Sequence, residues 1–340
     1  MTITLVGATG FVGGMVLREL LGRGARVRAI VRTVPLGPAG PGHAAPGEPG
    51  SVEWVRGDLT DPASLRGVCA GSDVLLQLAS YIGPDTAVCE AVNVRGTEAV
   101  VSEARRAGVG RLVQLSTTAV YGTGPHRDIE VGEVEPDPVS AASASRLRGE
   151  RPVLEAGGTV LRPGLVLGAG DRWVVPAIAD ALRRVPARWD GGRAVLSLVD
   201  VADLARLIAT VAMGGPREGD EGGREEAPQG AWQGLPGGIH HAGHPLPVSI
   251  GRLISALARY GIVREPEEEW PLGRCLARLE ATPGWVSPRQ FTLLAQDHWY
   301  RSERTWRLTG VAPSPDPLAG LAGAASWYRD FLRFGPCGPV

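Results

Sequence analysis

A glycine motif stands between a short apolar run and a helical pattern at the start of the chain. Thr2 to Val6 predicts a buried strand, and the stretch from Gly7 to Gly13 reads G-x-x-G-x-x-G. Apolar residues at helical spacing follow over Gly14 to Gly22. Glycine permits a tight turn and a close backbone approach to a pyrophosphate, whose oxygens then meet free N–H groups at the helix start. This strand–turn–helix order predicts nucleotide binding.

Short apolar runs alternate with helical patterns through the first half of the chain. The five further strand candidates are Val27 to Val31, Val52 to Val55, Val74 to Leu78, Arg111 to Leu115 and Thr159 to Arg162. A long helix is predicted between the fourth and fifth strands, over Ala87 to Ala107. Short apolar strands separated by helices predict an α/β fold with a Rossmann-type, doubly wound parallel sheet.

The length of 340 residues is typical of about two domains or of one large domain. We predict a nucleotide-binding Rossmann domain over residues 1–165, to which some later segments return, and a smaller C-terminal substrate lobe over residues 166–340. Two stretches rich in glycine and proline predict a long loop over Pro35 to Ser51 and a flexible surface loop near residues 214–238. Two late helices are predicted over Ile250 to Tyr260 and Leu318 to Phe334.

Charge and composition exclude several classes of partner. The formal net charge of −1 argues against a nucleic-acid partner or an anionic membrane surface. The sequence contains no run of 18 apolar residues, so we predict no membrane span. The first apolar stretch leads directly into the glycine motif and leaves no room for a signal peptide, so we expect a cytoplasmic protein. The four cysteines are widely spaced and predict free thiols: Cys69, Cys89, Cys275 and Cys337.

Histidine and tryptophan are concentrated in the second half. His240, His241 and His244 form H-H-x-x-H, but neighbours on a strand point to opposite faces, so we predict no metal site. Eight of the nine tryptophans follow residue 165, which is typical of core packing, with one or two expected at a site for a planar substrate.

The end of the second predicted strand distinguishes two cofactors. An acid about 20 residues after the glycines would hydrogen-bond the adenosine ribose and favour NAD. This chain has Arg32 at that place, 19 residues after Gly13, and no acid between Gly24 and Ala45. A guanidinium binds a 2′-phosphate in a bidentate fashion, so the sequence predicts NADP(H).

Further motifs, in order along most of the chain, resemble those of extended or atypical short-chain dehydrogenase/reductases. The matching segments are Gly57 to Leu59, Leu78 to Ser80, Asn93 to Thr97, Leu115 to Gly122, Leu161 to Gly168 and Val199 to Asp203. The resemblance implies a Rossmann fold and a nicotinamide cofactor. The cofactor-binding residues that the glycine motif, the strand ends and the resemblance imply are Gly7, Thr9, Gly10, Phe11, Val12, Gly13, Arg32, Asp58, Leu59, Leu78, Ala79, Ser80, Arg146, Pro163, Gly164, Leu165 and Val166.

The acid–base motif of that family is altered here. Its members use the tyrosine of Y-x-x-x-K as the acid–base group, and an upstream serine or threonine binds the substrate carbonyl. The resemblance places this hydroxyl at Thr117, next to Ser116, the tyrosine position at Ala142 and the lysine position at Arg146. Alanine donates no proton, and arginine, with a pKa above about 12, is a fixed charge that can still bind ribose hydroxyls. All 35 basic residues are arginine, which excludes a lysine amine from any mechanism.

Three interpretations of the altered motif remain open. The protein reduces a ketone whose own neighbouring phenol supplies the proton, or it is a non-redox enzyme such as an isomerase or cyclase, or it is an NADP-binding regulatory sensor. The altered motif and the arginine-only composition resemble tyrosine-lacking ketoreductases of angucyclinone antibiotic pathways, such as the simocyclinone pathway. That resemblance implies NADPH-dependent, substrate-assisted reduction of a ring ketone of an aromatic polyketide.

The candidate site residues fall into two groups. Thr117, Ser116 and Arg146 are the predicted catalytic residues. The predicted substrate contacts are Tyr81, which follows the fourth strand, Ala142, which leaves room for a flat ring system, and Ser143 beside it. The expected partner is a small aromatic molecule, and the expected assembly is a monomer or homodimer.

Overall fold

A computed structural model of the protein describes residues 1–34, 48–214 and 235–334. The two predicted loops, over Pro35 to Ser51 and near residues 214–238, lie largely outside the described residues. Trp232 and Cys337 lie outside them as well.

The described residues form fifteen strands and eleven α-helices. The strands are β1 Thr2–Val6, β2 Arg26–Val31, β3 Val52–Arg56, β4 Val74–Gln77, β5 Arg111–Leu115, β6 His126–Ile129, β7 Thr159–Arg162, β8 Leu165–Leu167, β9 Ala187–Trp189, β10 Val195–Leu196, β11 Leu198–Asp200, β12 Gly238–His241, β13 Val248–Ser249, β14 Glu268–Trp270 and β15 His298–Tyr300. The α-helices are α1 Phe11–Gly22, α2 Thr86–Cys89, α3 Gly96–Arg106, α4 Ala141–Glu155, α5 Val174–Arg184, α6 Val201–Met213, α7 Ile250–Arg259, α8 Leu272–Glu280, α9 Pro288–Ala295, α10 Glu303–Thr309 and α11 Leu321–Phe334.

Seven parallel strands form the central sheet. Their order is β12-β7-β5-β4-β1-β2-β3, so the strand order reverses between β1 and β4. Every pairing along this sheet is parallel. The sheet confirms the predicted Rossmann-type, doubly wound fold.

The six predicted strands are present with small shifts at their ends, but the seventh strand was not predicted. β12 comes from residues 238–241 and pairs with β7. Its sequence, Gly-Ile-His-His, contains a single branched apolar residue, so it carries no apolar run or alternation that indicates a strand.

The predicted long helix is divided by a π-helical turn. α2 and α3 are joined by the π turn Glu90–Arg95. The first helix starts at Phe11, three residues before the predicted start at Gly14. Gly13 and Gly14 therefore lie within its first turn. At the other end of the chain, α11 starts at Leu321 rather than Leu318.

Helices cover both faces of the sheet. One face packs Leu5 of β1 against Leu20 of α1 and Leu207 of α6, and all three side chains are fully buried. The opposite face packs Leu75 of β4 against Val100 of α3, both also buried. Two buried apolar layers therefore hold the strand ends in fixed positions.

A separate apolar core forms in the C-terminal region from α5, α7, α8, α9 and α11. At its centre the rings of Trp189 and Phe291 meet edge to face, with their centroids 4.7 Å apart. The predicted division near residue 165 stays a prediction. α6 and β12 follow that residue in the chain but pack with the central sheet. No helix within the described residues is long and apolar enough to cross a membrane.

Candidate functional site

A cleft of about 860 Å³ opens where the central strands end, above the point at which their order reverses. This crevice is where open α/β sheets bind ligands. The predicted residues that line it are Gly7, Thr9, Gly10, Phe11, Val12, Gly13, Arg32, Asp58, Leu59, Leu78, Ala79, Ser80, Tyr81, Ser116, Thr117, Arg146, Pro163, Gly164, Leu165 and Val166. Ala142 and Ser143 are not among its lining residues.

The glycine loop needs its glycines for close backbone contacts. Gly7 has a φ of +94°, and a Cβ there would lie 2.7 Å from the amide nitrogen of Ala79. A Cβ on Gly13 would lie 2.0 Å from the carbonyl oxygen of Gly7. α1 then begins at Phe11 without a side-chain cap, which leaves N–H groups of its first turn for a ligand's oxygens.

Arg32 and Asp58 line the same end of the cleft, after β2 and β3. One carboxylate oxygen of Asp58 accepts hydrogen bonds from the backbone N–H and the hydroxyl of Thr60, each at 2.8 Å. The Thr60 N–H bond and, to a smaller degree, the nearby Arg32 charge lower the pKa of Asp58, so its carboxylate is ionised at neutral pH. This end therefore presents one cation and one anion.

The loop after β4 is fixed by one buried amide. The side chain of Asn93, on the π turn, accepts from the Tyr81 N–H at 2.7 Å and donates to the Tyr81 carbonyl at 2.8 Å. Its amide nitrogen also lies 2.9 Å from the Ser145 hydroxyl on α4. Asn93 therefore connects the loop, the π turn and α4, which gives a structural reason for the asparagine at the start of the Asn93 to Thr97 segment.

Thr117 and Ser116 follow β5 but have different hydrogen-bonding states. The Thr117 hydroxyl oxygen accepts from the Ala119 N–H at 3.1 Å, which leaves its proton available toward the cleft. The Ser116 side chain is fully buried, and its hydroxyl donates to the Glu150 carboxylate. Thr117 is therefore the better placed of the two to donate to a substrate oxygen.

Behind Ser116, Glu150 belongs to a buried polar network. Arg162 donates to both of its carboxylate oxygens, from Nε at 3.0 Å and from a terminal nitrogen at 2.6 Å. Arg162 also donates to the Tyr121 hydroxyl at 2.8 Å, and this hydroxyl lies 2.8 Å from His241 Nε2. Because each polar group has a partner, the network fixes the backbone at the end of β5 and β7.

Tyr121 and His241 are both neutral in this network. Burial raises the pKa of the Tyr121 phenol. Burial also lowers the pKa of His241 from 6.5 to about 4. His241 Nδ1 faces the Arg301 carbonyl at 3.1 Å, so Nδ1 donates there and Nε2 accepts the Tyr121 proton. Tyr121 is thus directed away from an acid role in the cleft.

Arg146 extends from α4 to the wall of the cleft. Its guanidinium donates to the Ser116 carbonyl at 2.5 Å. Its Nε is buried and has no hydrogen-bond partner among the described residues. Burial lowers the pKa of Arg146 to about 10, an effect that the Glu150 charge partly offsets. The side chain remains a cation at neutral pH.

Ala142 and Ser143 lie in the first turn of α4. Ala142 is one helical turn before Arg146, on the same side of the helix. The Ser143 hydroxyl lies 2.8 Å from that of Ser140 and completes a capping box with it. The S-x-x-S pattern of residues 140–143 was an available signal for this capping role. Their assignment as substrate contacts stays a prediction.

Several lining residues were missed by sequence reasoning. They are mostly apolar, namely Val6, Ile30, Val31, Gly57, Thr60, Ile82, Val88, Val92, Leu115, Asp171, Trp173 and Val174. The sequence predicted one or two tryptophans at the site without identifying them, and Trp173, immediately before α5, lines the cleft. Asp171 is buried and accepts the N–H groups of Trp173, Val174 and Val175, at 2.8, 2.8 and 2.9 Å. An acid before a helix indicates a cap, but no pattern placed this cap at the cleft.

The histidine motif has other partners. His240 Nε2 bonds the Pro236 carbonyl at 2.9 Å, and His244 Nε2 bonds the Ser314 carbonyl at 2.8 Å. Within the described ranges, no group of three His, Cys, Asp or Glu side chains is arranged to hold a metal ion. A second cavity, of about 870 Å³, lies between α5, residues 262–268 and the end of α11, and it contains no part of the glycine loop.

Two enzymes of known name are similar to the chain. It is 33% identical over 223 residues to the 4-hydroxy-2-methyl-3-oxo-4-farnesyl-3,4-dihydroquinoline-1-oxide ketoreductase of Stigmatella aurantiaca, and the match spans 62% of this chain and 64% of that enzyme. It is 28% identical to the 2-alkyl-3-oxoalkanoate reductase of Stenotrophomonas maltophilia, over 94% of this chain and 97% of that enzyme.

Solved structures share the fold over nearly the whole length. WbmH of Bordetella bronchiseptica in complex with NAD+ has a TM-score of 0.69 at 20% identity, covering 98% of this chain and 99% of that one. MoeE5 in complex with UDP-glucuronic acid and NAD has a TM-score of 0.67 at 19% identity, covering 97% and 99%. The model of the NAD dependent epimerase/dehydratase family matches residues 3–223. The chain belongs to the NAD dependent epimerase/dehydratase family.

Proposed function

We propose that this protein is an NADPH-dependent ketoreductase that reduces a ring ketone of an angucyclinone-type aromatic polyketide in antibiotic biosynthesis. A phenol of the substrate, next to the ketone, supplies the proton. One observation carries the proposal: the cleft has Thr117 and Arg146 in place, but the position one helical turn before Arg146 is Ala142. The site thus offers a hydroxyl and a fixed cation, while the position at which the resemblance expects the acid is alanine.

The choice of NADPH rests on Arg32. Its place at the end of β2 and on the cleft wall suits the 2′-phosphate of the adenosine. The chain has no acid between Gly24 and Ala45 that would repel this phosphate. The NAD bound in WbmH and MoeE5 supports a pyridine nucleotide in general, and Arg32 supports the phosphorylated form.

The choice of a ketone rests on the relatives. Both named relatives reduce a keto group. The name of the Stigmatella enzyme's substrate puts a 3-oxo group on a ring, next to a saturated carbon that bears both the 4-hydroxy and the farnesyl group, so this neighbouring hydroxyl is an alcohol and not a phenol. A ring ketone is therefore the substrate class that we carry to this chain from the relatives, while the neighbouring phenol rests on the missing acid at Ala142. Trp173 and Tyr81 offer flat surfaces for the rings.

The chemistry needs one hydride and one proton. NADPH, when bound, supplies the hydride to the carbonyl carbon. The Thr117 hydroxyl donates a hydrogen bond to the carbonyl oxygen and stabilises its developing charge. We assign the proton that this oxygen finally takes to the substrate's phenol. The hydroxyls of Ser116 and Tyr121 are already donated to Glu150 and His241, and the Thr117 alcohol is a much weaker acid than a phenol.

The test compares two substrates with NADPH: a polycyclic aromatic ketone with a phenol beside the carbonyl, and its O-methyl ether. We expect NADPH oxidation with the phenol and, for the bound ether, a rate lower by about 100-fold or more, the usual cost of losing a general acid. Binding of the ether is measured separately by calorimetry, so that a slow rate is not mistaken for weak binding.

Other outcomes contradict the proposal in different ways. Equal turnover of both substrates means that water or a protein group donates the proton, and Tyr81→Phe then tests the remaining phenol on the cleft. No oxidation of tightly bound NADPH by either substrate favours a non-redox enzyme or a sensor.

A further inference from the structure

The guanidinium of Arg146 is a cation on the cleft wall without a carboxylate of its own. It reaches the carbonyl oxygen of Ser116, and its buried Nε has no partner among the described residues. A cation removed from water costs free energy unless an opposite charge or further acceptors meet it. The buried Nε is out of reach of a ligand, but the guanidinium lines the cleft and its hydrogen bond goes to a neutral carbonyl, so its charge is open to an acceptor atom in the cleft.

The neighbouring carboxylate is already shared. Glu150 is the ionisable group whose charge acts on Arg146, but both of its oxygens are bound by Arg162 and one of them by Ser116. Two guanidinium groups thus face one carboxylate, and the cluster carries an excess charge of +1. Tyr121, the next group along the network, is neutral because burial raises its pKa.

Charges from the other packed elements do not cancel this excess. From the π turn, Glu90 forms an exposed ion pair with Arg148 on α4. The loop after β5 contributes Thr117 and the loop after β4 contributes Tyr81, which bring hydroxyls and no carboxylate. Asp171, elsewhere on the cleft, is held by three backbone N–H groups and the Tyr328 hydroxyl, and burial raises its pKa.

We propose that Arg146 binds the anionic oxygen of an acidic hydroxyl on the substrate, the phenolate left when this hydroxyl gives its proton to the newly formed alkoxide. This inference rests on the proposed function and narrows its substrate class to ketones whose neighbouring hydroxyl is a phenol or enol. An aliphatic alcohol would leave too basic an anion. A fixed charge a few ångströms away stabilises such an anion strongly in a site shielded from water.

The step balances in atoms and electrons. The hydride from NADPH brings two electrons to the carbonyl carbon, and the electron pair of the C=O π bond moves to oxygen. That oxygen takes the phenol's proton, and the O–H bonding pair stays on the phenolate oxygen beside Arg146. NADP+ and the phenolate of the product remain, and water reprotonates the phenolate after release.

The test uses alizarin, a planar dihydroxyanthraquinone whose visible absorption shifts when a hydroxyl ionises. It is titrated with pH on the full-length protein, with and without NADP+. We expect the apparent pKa of the bound dye to lie about 1 to 3 below that of the free dye, the size produced by an opposite charge within 4–6 Å. Arg146→Gln keeps a donor for the Ser116 carbonyl but removes the charge, and it should abolish most of this difference.

Two variants make the result specific. Arg146→Lys keeps the positive charge and should retain a lowered pKa. Arg148→Gln removes a charge from the same helix, where Arg148 is exposed and paired with Glu90, and should leave the titration unchanged. Circular dichroism and the midpoint of urea unfolding confirm that each variant is folded.

Failure of this inference is distinguishable from failure of the proposed function. Bound dye with the same pKa in Arg146→Gln as in the wild type overturns the role of Arg146, even if ketones are reduced. Failure of the dye to bind the wild-type protein overturns it as well. A lowered pKa without any ketone reduction keeps the anion site and refutes the reductase.

Discussion

At the residue scale, the fixed partners of each side chain decide what it can do in the cleft. Ser116 and Thr117 are adjacent hydroxyls in the sequence, yet one is committed to a buried carboxylate and the other keeps its proton for a ligand. Sequence motifs group these residues together. The hydrogen bonds distinguish them, and that distinction leads to a kinetic prediction.

Replacing Thr117 with valine should lower kcat by about 100- to 1,000-fold, because it removes a donor to the developing oxyanion. Thr117→Ser retains the hydroxyl and should keep most of the rate. Steady-state kinetics with the phenolic ketone measure both variants. A normal kcat for Thr117→Val would place the oxyanion donor elsewhere.

Replacing Arg32 with aspartate should weaken NADPH binding by about 10- to 100-fold, since a charge-assisted hydrogen bond contributes about 1.5–3 kcal/mol. NADH, which lacks the 2′-phosphate, should lose much less affinity. Arg26→Asp, at the exposed far end of the same strand, is the matched control. Fluorescence titration gives both dissociation constants, and equal losses for the two cofactors would contradict the NADPH assignment.

The sequence predicted most of the cleft but not its apolar wall. Gly7, Asp58 and Thr117 belong to short motifs whose chemistry requires those residue types, so they can be recognised from the sequence alone. Trp173 has no such signature, because its position depends on how α5 packs beside the glycine loop. Ser143 shows the opposite case, since a hydroxyl near the expected acid position is used by a helix cap.

At the element scale, irregular segments connect the regular ones. The π turn places Asn93 where one amide reaches two other segments, and β12 carries His241 to the end of β7. The π turn lies inside a stretch whose helical period predicted one continuous helix, and β12 has no apolar run or alternation, so the sequence did not predict either of them. Regular strands such as β1 and β5 are buried on both faces, and their apolar runs identified them correctly.

His241 should make the protein less stable in mild acid. Its pKa is about 4 in the folded state and about 6.5 when exposed, so between these values the unfolded chain binds a proton that the folded chain does not. Stability is therefore lost as pH falls from about 6.5 to about 4, by roughly 3 kcal/mol from this group.

Urea unfolding of wild-type protein and His241→Gln between pH 7 and pH 4 checks this prediction. The variant should be less stable at pH 7 but lose less stability on acidification. His126, His240 and His298 also have lowered pKa values through burial and remain in both proteins, so the difference isolates His241. Parallel curves for the two proteins would disprove the contribution.

At the scale of the whole molecule, the apolar layers on the central sheet are distinct from the apolar core of the C-terminal region. The apolar layers on the sheet hold the glycine loop and the strand ends, whereas the core around Trp189 and Phe291 lies in the C-terminal region. The layers on the sheet hold the strands that end at the cleft. A substitution in the core around Trp189 and Phe291 should therefore lower the stability of the protein more than its affinity for the nucleotide.

Phe291→Ala should lower the free energy of unfolding by about 3–5 kcal/mol, because the ring is fully buried and no other side chain fills the cavity. NADPH affinity of the folded protein should stay within a factor of about three. Leu246→Ala, at a side chain that is 55% exposed, should change stability by less than about 0.5 kcal/mol. Urea unfolding and NADPH titration test this, and a parallel loss of affinity would show that the two cores are coupled.

The late arrival of β12 has a consequence for synthesis on the ribosome. Residues 163–237 separate it from β7, the strand it covers, so a nascent chain presents β7 as an open edge until residue 241 emerges. At about 5–20 residues per second, this interval lasts on the order of 4 to 15 s. An open edge pairs readily with other chains, so ribosome pausing over this stretch, or truncation within it, should favour aggregation.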